Sequence, residues 1–314
     1  MKTLTHQLER YLAHRRNFGY HLDFTERVLR KFTEYAEANN HYRVSTELLL
    51  DWQANYGSAS ANTWSRRLGM VRGFATWLQQ IDGLSEIPPE GLFPARTHRS
   101  KPYIYSEDEI TRIITEAGQL PSSYGLRGLL WQTVFGLIAV TGLRINEALR
   151  LDNTDVDLDT GAITVRHTKN GQDRSLPIQP CVADRLSDYA ATRHRFTGSL
   201  SPAFFVKEDG NRPGDCSARY NFAHICQRIG LRSPQGHYKH GSGPRIHDLR
   251  HTFAVNTILD WFREGLNVDD QMFTLSSYLG HSSPEVTYWY IEAVPELMEL
   301  AAGRSECRYR GDRT

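Results

Sequence analysis

Apolar residues return every third or fourth position through about residue 85 of the chain. Leu4, Leu8 and Leu12 form one such stripe, and Phe24, Val28, Leu29, Phe32 and Tyr35 form another, the spacing of helices that bury one face. A later helix is predicted from about Thr63 to Gln80, with Trp64, Leu68, Val71, Phe74 and Leu78 on one side. Off that stripe lie Ser65, Arg66, Arg67 and Arg72, cations that could neutralise phosphates along a duplex or simply form a solvated face. Prolines at 88, 89, 94 and 102 then end the helical pattern, with Arg96, His98, Arg99 and Lys101 among them. The reading is a helical domain over 1–85 followed by a basic linker over 86–102.

Beyond the linker, Ser106 followed by Glu109 has the form of a capping box, opening a helix that carries Ile110, Ile113 and Ile114. An apolar segment from Leu129 to Val140 predicts a core helix that Gly142 stops, and Arg144 and Glu147 sit one turn apart on the next. From Gly161 to Ile178 the period changes to two. Ile163, Val165 and His167 alternate before Asn170-Gly171, and Leu176 and Ile178 follow, which predicts a β-hairpin with Lys169 near its tip. Helices are expected again around Cys181 to Arg195 and Ser217 to Ile229. A further one opens near His247 with Leu249, Phe253 and Ile258 as its apolar positions. Gly280 marks a helix end, Ser283-Pro284 a new start, and Pro295 to Ala302 a last short helix before a polar tail over 304–314.

This is a mainly α chain with a small antiparallel β-sheet, long enough at 314 residues for two cores. Composition adds little. The 37 basic and 36 acidic residues leave a formal charge of +1 and a pI near 7.8, so only the placement of charge can point to nucleic acid. Mean hydropathy is -0.52, the first twenty residues carry scattered charge without an apolar core, and the segment from Leu129 is too short to span a bilayer. A cytoplasmic protein with no membrane partner is therefore expected. The four cysteines, Cys181, Cys216, Cys226 and Cys307, form no C-x-x-C pair and no zinc spacing with histidine, His237 and His240 included, so they are expected as mostly buried free thiols and no metal site is predicted.

The chemistry lies in an ordered set of side chains: Arg144, Lys169, His247 with Arg250, His281 and Tyr290. His247 and Arg250 are three apart at a helix start and can point to one place. Two guanidiniums suit the non-bridging oxygens of a phosphate, a lysine and a histidine can move a proton to a leaving alkoxide, and a phenol can take the phosphoryl group covalently. No Walker lysine loop, nucleophile elbow or dinucleotide fingerprint is present, so neither cofactor nor nucleotide is implied.

Three stretches, Thr141 to Leu149, His247 to Ala254, and Leu279-Gly280-His281-Ser282 running on to Tyr290, resemble the tyrosine recombinases, the family of phage integrases and Xer-type enzymes. The resemblance covers roughly 103–300, within a catalytic domain read as 103–303, and the helix over Thr63 to Leu78 resembles the end of that family's core-binding domain. It implies a two-domain architecture, a helical core-binding domain and an α+β catalytic domain, acting on double-stranded DNA recombination sites as a homotetramer, with related recombinases or accessory proteins as further partners. By resemblance Arg144 and Arg250 clamp the scissile phosphate, Lys169 is the general acid, His247 assists proton transfer, His281 binds the phosphate, Glu147 supports the site and Tyr290 forms a 3′-phosphotyrosine. Arg66, Arg67, Arg72, Arg96, Arg99 and Lys101 are the expected DNA contacts. The implied activity is metal-independent, site-specific recombination through a Holliday junction, serving integration, excision or transposition of a mobile element at the nucleoid. A type IB topoisomerase-like relative and a DNA-binding accessory protein are the alternatives. Tyr288 is a competing phenol whose ordinary role is packing. The segment from Leu259 to Ser277 is longer than in compact Xer-type members, and Trp261 to Gly265 resembles transposon-associated ones. The resemblance also implies that Pro295 to Gly303 docks on a neighbouring protomer through Leu297, Met298 and Leu300.

Overall fold

A computed structural model describes residues 3–94, 101–166, 173–197, 201–233, 243–281, 283 and 285–300. The chain divides into two compact units, Met1–Ser100 and Lys101–Thr314. The sequence-based linker begins at 86, whereas Glu86 belongs structurally to the first unit: its carboxylate accepts from the Thr46 amide at 2.9 Å, and its own amide donates to the Val44 carbonyl at 2.8 Å.

The first unit is four helices, α1 (Leu4–Asn17), α2 (Asp23–Ala38), α3 (Thr46–Asn55) and α4 (Ala61–Asp82). Thr3, Ser45 and Ser60 cap α1, α3 and α4 by accepting a first-turn amide, satisfying donors that a helix start otherwise leaves open. Leu4, Leu8, Leu12, Val28, Leu29 and Phe32 are buried with Trp64, Leu68, Val71, Phe74 and Leu78, and Tyr35 packs against them, so the stripes that predict the helices build the core except at Phe24, which is exposed in the first turn of α2. The Trp52 ring meets Phe32 and Trp64 edge-on at 5.2 Å from each, joining α2, α3 and α4.

The second unit holds α5 (Glu107–Gly118), α6 (Leu126–Thr141), α7 (Ile145–Arg150), a three-stranded sheet, α8 (Pro180–Thr197), α9 (Asp215–Arg228), α10 (Ile246–Arg263), α11 (Val268–Leu279) and α12 (Glu285–Ala293). The capping box at Ser106 and Glu109 forms as its spacing requires. Helix α6 is central: Leu130, Trp131, Val134, Phe135, Leu137 and Ile138 are buried in the main core. At Gly128 a Cβ would lie 2.4 Å from the Gly118 carbonyl oxygen of α5, so only glycine permits this approach of the two backbones. The sheet runs β1 (Val156–Asp157), β2 (Ala162–Val165), β3 (Arg174–Pro177), antiparallel throughout, with Ile163 opposite Leu176. The hairpin is thus present, and β1 is an addition too short to read from alternation. Its turn over 167–172, with Lys169 and His167, lies outside the described residues.

A second cluster in this unit packs Ala254, Val255 and Ile258 of α10 against Met272, Leu275 and Leu279 of α11 and Tyr290 of α12. Leu297, expected to dock on a neighbour, is fully buried in this cluster within its own chain, while Met298 and Leu300 are exposed. The cysteine expectation needs correction. Cys226 is buried, but Cys181 and Cys216 are exposed because each falls in the opening turn of a helix, on its outward side; Cys307 lies outside the described residues. Among the described residues no helix is long and apolar enough to cross a membrane.

Candidate active site

Two glycines set the site. Helices α6 and α11 each end in a left-handed glycine, Gly142 with φ 63° and Gly280 with φ 65°. Such an ending turns the chain sharply and leaves carbonyls without intrahelical partners, at the end of the helix where its dipole is negative. Two arginines meet them. Arg250, on α10 and only 1% exposed, donates through Nη1 to the Gly142 carbonyl and through Nη2 to the Leu279 carbonyl, each at 2.7 Å. Arg144 donates through Nη2 to the Gly280 carbonyl at 2.9 Å and through Nη1 to the Leu279 carbonyl at 3.4 Å. Residues far apart in sequence are thereby held around one backbone turn. Burial above all, with Arg144 close by, lowers the Arg250 pKa to about 10, against Tyr290 and Glu147, which favour its charge.

Arg144 is not on a helix, as its spacing from Glu147 suggests, but at the N-cap of α7 with extended backbone. Glu147 fixes it there: its carboxylate accepts from the Arg144 amide at 2.9 Å and from Nη1 at 2.7 Å. The same carboxylate accepts from Arg174 on β3, at 2.7 Å from Nη2 and 3.2 Å from Nη1, and Arg174 Nε donates to the Tyr278 carbonyl at 2.9 Å. Burial pushes the Glu147 carboxyl up, but the hydrogen bonds from Arg174 and Arg144 outweigh it and hold the pKa below the ordinary carboxylate value. Glu147 therefore pairs with both Arg144 and Arg174 and fixes the Arg144 guanidinium in place. Arg174 was not singled out from the sequence. Its arginine-in-a-strand position carries no periodic cue, and its partner lies across the fold.

His281 follows Gly280, and its Nδ1 lies 2.7 Å from Oγ1 of the fully buried Thr287. Its ring stacks near Tyr290, centroids 6.3 Å apart. Tyr290, 2% exposed, has its hydroxyl 2.9 Å from Nδ1 of His251, a second residue that sequence reading passed over. His251 follows Arg250 directly and stands one helical turn from His247, whose ring meets it edge-on at 4.5 Å. Helical spacing from His247 was the cue that could have found it. Beside His247 a cleft of about 350 Å³ is lined by Ile145, Phe222, Ile246 and three arginines, Arg219, Arg232 and Arg245. Tyr288, the competing phenol, donates to Asp269 at 3.0 Å, outside this cluster.

Arg144, His247, Arg250, His281, Glu147 and Tyr290 thus come together; Lys169 lies outside the described residues. Of the expected DNA contacts, Arg66 is exposed on α4 and Lys101 is exposed at the start of the second unit. Arg67 lies over the Tyr56 and Trp64 rings at 4.2 and 4.4 Å, and Arg72 donates to the Pro88 carbonyl and, at 2.8 Å, to Glu90. Arg96 and Arg99 are outside the described residues. Among the described residues no cluster of three or more His, Cys, Asp or Glu is placed to hold a metal ion.

Guanidiniums, imidazoles and a phenol are thus gathered where α6 and α11 end, α10 begins and α12 packs against them, in a fold of the tyrosine-recombinase type. The description "Phage integrase family" matches residues 104–296. The chain is 37% identical over 319 residues to a protein of Sinorhizobium fredii provisionally named integrase/recombinase y4rB, covering all of both chains. It is 30% identical over 260 residues to the tyrosine recombinase XerC of Rhodospirillum centenum, covering 82% of this chain and 70% of the relative. Its fold is similar to that of the Tn1549 transposon integrase in complex with transposon right end DNA, with TM-score 0.65 and 15% identity over 97% of this chain and 99% of the other. The chain belongs to the phage integrase family, and in class it is a site-specific recombinase.

Proposed function

We propose that this protein breaks and rejoins DNA strands at a specific site through a covalent 3′-phosphotyrosine on Tyr290. The observation that carries the reading is the gathering of Arg144, Arg250, His281 and Tyr290 around the Gly280 turn. In this reading the guanidiniums take the non-bridging phosphate oxygens as charge builds on them, a role in which losing one donor costs about 10²–10³ in rate. Tyr290 Oη bonds to phosphorus, the bond to the 5′-oxygen breaks, and Lys169 supplies that oxygen with a proton. His281 and His247 hold the phosphate and assist the transfer. The chemistry as written needs no metal. Tyr290 is only 2% exposed in the chain alone, so side chains over its hydroxyl must give way as the scissile phosphate is seated.

The first unit acts as the core-binding domain, Arg66 and Lys101 contact the backbone of the duplex, and exchange proceeds in a homotetramer through a Holliday junction. The integrase/recombinase name of the Sinorhizobium relative and the fold of the Tn1549 integrase support a role in moving a mobile element. Cytoplasmic action at the nucleoid follows from a DNA substrate. The test uses duplexes selected by binding from a random pool, two of them differently labelled. Strand exchange between them is the expected result. Relaxation of supercoils without exchange would favour a topoisomerase-like enzyme, and binding without cleavage an accessory protein.

A further inference from the structure

We propose that His251 is the catalytic partner of the Tyr290 hydroxyl, holding it in place and taking its proton as the phenol attacks phosphorus. The inference rests on Tyr290 being the nucleophile and adds the group that activates it.

The geometry is specific. His251 Nδ1 lies 2.9 Å from Tyr290 Oη, within hydrogen-bond reach and between two buried rings, 8% and 2% exposed. The imidazole has little freedom. It sits between Arg250 and Thr252 on α10, both 1% exposed, and Thr252 Oγ1 donates to Asp248 O at 2.9 Å and accepts from the Tyr105 amide at 2.9 Å. On one side its ring meets His247 edge-on at 4.5 Å, on the other Trp289 at 5.8 Å. Phenols ionise near 10, so a neutral Tyr290 needs an acceptor at the moment of attack, and imidazole is the side chain suited to accept and return a proton near neutral pH. Arg250, whose charge Tyr290 favours, stands by to stabilise the oxygen as negative charge develops on it.

The step balances. With the imidazole proton on Nε2, Nδ1 accepts the hydrogen bond from Oη. As Oη bonds to phosphorus its O–H bond breaks, and the proton passes to Nδ1. The phosphorus bond to the 5′-oxygen breaks, and that oxygen takes its proton from Lys169, the general acid of the proposed function. In rejoining, the 5′-hydroxyl attacks, the tyrosyl oxygen leaves, and Nδ1 returns the proton to it.

The experiment is single-turnover cleavage of a nicked duplex, at saturating DNA, by the full chain and its variants. His251→Asn keeps an oxygen near the Nδ1 position that can accept a hydrogen bond but cannot take a proton. Its cleavage rate is expected to fall by about 10² or more, the range for a lost general base, with DNA affinity and melting temperature unchanged. His251→Gln serves the same comparison should His251→Asn melt below the assay temperature. A second substrate carries sulfur in place of the bridging 5′-oxygen, a leaving group that needs no proton. It should relieve the defect of Lys169→Ala and leave that of His251→Asn in place. A His251→Asn rate within about threefold of wild type, or its full relief by sulfur, overturns the proposal, since the loss of a base should cost far more. A covalent adduct that persists in Tyr290→Phe would instead remove the nucleophile on which the proposal rests.

Discussion

Replacing Glu147 by Gln separates the two jobs this carboxylate does. Its side chain is 11% exposed and accepts four hydrogen bonds from two guanidiniums and one amide, at 2.9, 2.7, 3.2 and 2.7 Å. Glutamine keeps the shape and one accepting oxygen but brings an NH₂ against Arg144 or Arg174 and leaves both cations without a counter-charge. Breaking a buried ion pair from one side costs about 3–5 kcal/mol. Arg144 is 34% exposed and Arg174 retains the Tyr278 carbonyl, so solvent and backbone carry part of the loss, and about 2–3 kcal/mol is expected. Urea unfolding of the full chain reads it as a lower midpoint for the transition of the second unit, assigned by hydrogen exchange of α7. The effect has a pH signature. Because the folded pKa of Glu147 lies below its unfolded value, its stabilisation is present above about 4.3, the ordinary glutamate value, and is lost as pH falls through the folded pKa. The gap between wild type and Glu147→Gln should therefore close on acidification. A loss under about 0.5 kcal/mol at pH 7, no more than a surface pair gives, or a gap independent of pH, would refute the argument.

Other perturbations probe separate parts of the structure. Gly142→Ala places a Cβ 2.6 Å from Phe253 Cδ1 in a backbone with φ 63°, so overpacking and the left-handed conformation together should cost about 2–4 kcal/mol, read as a lowered melting temperature. Leu297→Ala should cost about 2–4 kcal/mol in the isolated chain, because Leu297 is fully buried in the α10–α12 cluster, and a neutral result would free that side chain for a neighbour. Replacing Arg66 by Gln should weaken binding to all duplexes alike and lower the salt slope by about one, as expected for one phosphate contact; a change in sequence preference would count against that role.

The helices were legible because each carries its core on one face: Trp64 to Leu78 reads the same in sequence and in the first unit's interior. The Asn170-Gly171 punctuation placed the hairpin, and Gly280 marked the turn that gathers the arginines. What the sequence concealed is what depends on distant partners. Arg174 matters through a carboxylate on another element, which no local period reports, and His251 through a phenol on another helix, which its helical spacing from His247 hints at but does not name. Arg144 read as helical because its spacing from Glu147 is helical, yet its side chain serves the site from an extended N-cap, where the carboxylate can reach both its amide and its guanidinium. Cysteine exposure was misjudged because residue type predicts burial less well than position in a helix's opening turn.

The central claim is a covalent bond between Tyr290 and DNA, and its most direct measurement is adduct formation on a nicked recognition duplex in EDTA, wild type beside Tyr290→Phe. The nick lets the cleaved fragment diffuse away and traps the intermediate. The account predicts an adduct in wild type that disappears in Tyr290→Phe while DNA binding persists. An adduct that survives in Tyr290→Phe, or tight binding by wild type with no adduct, would contradict it.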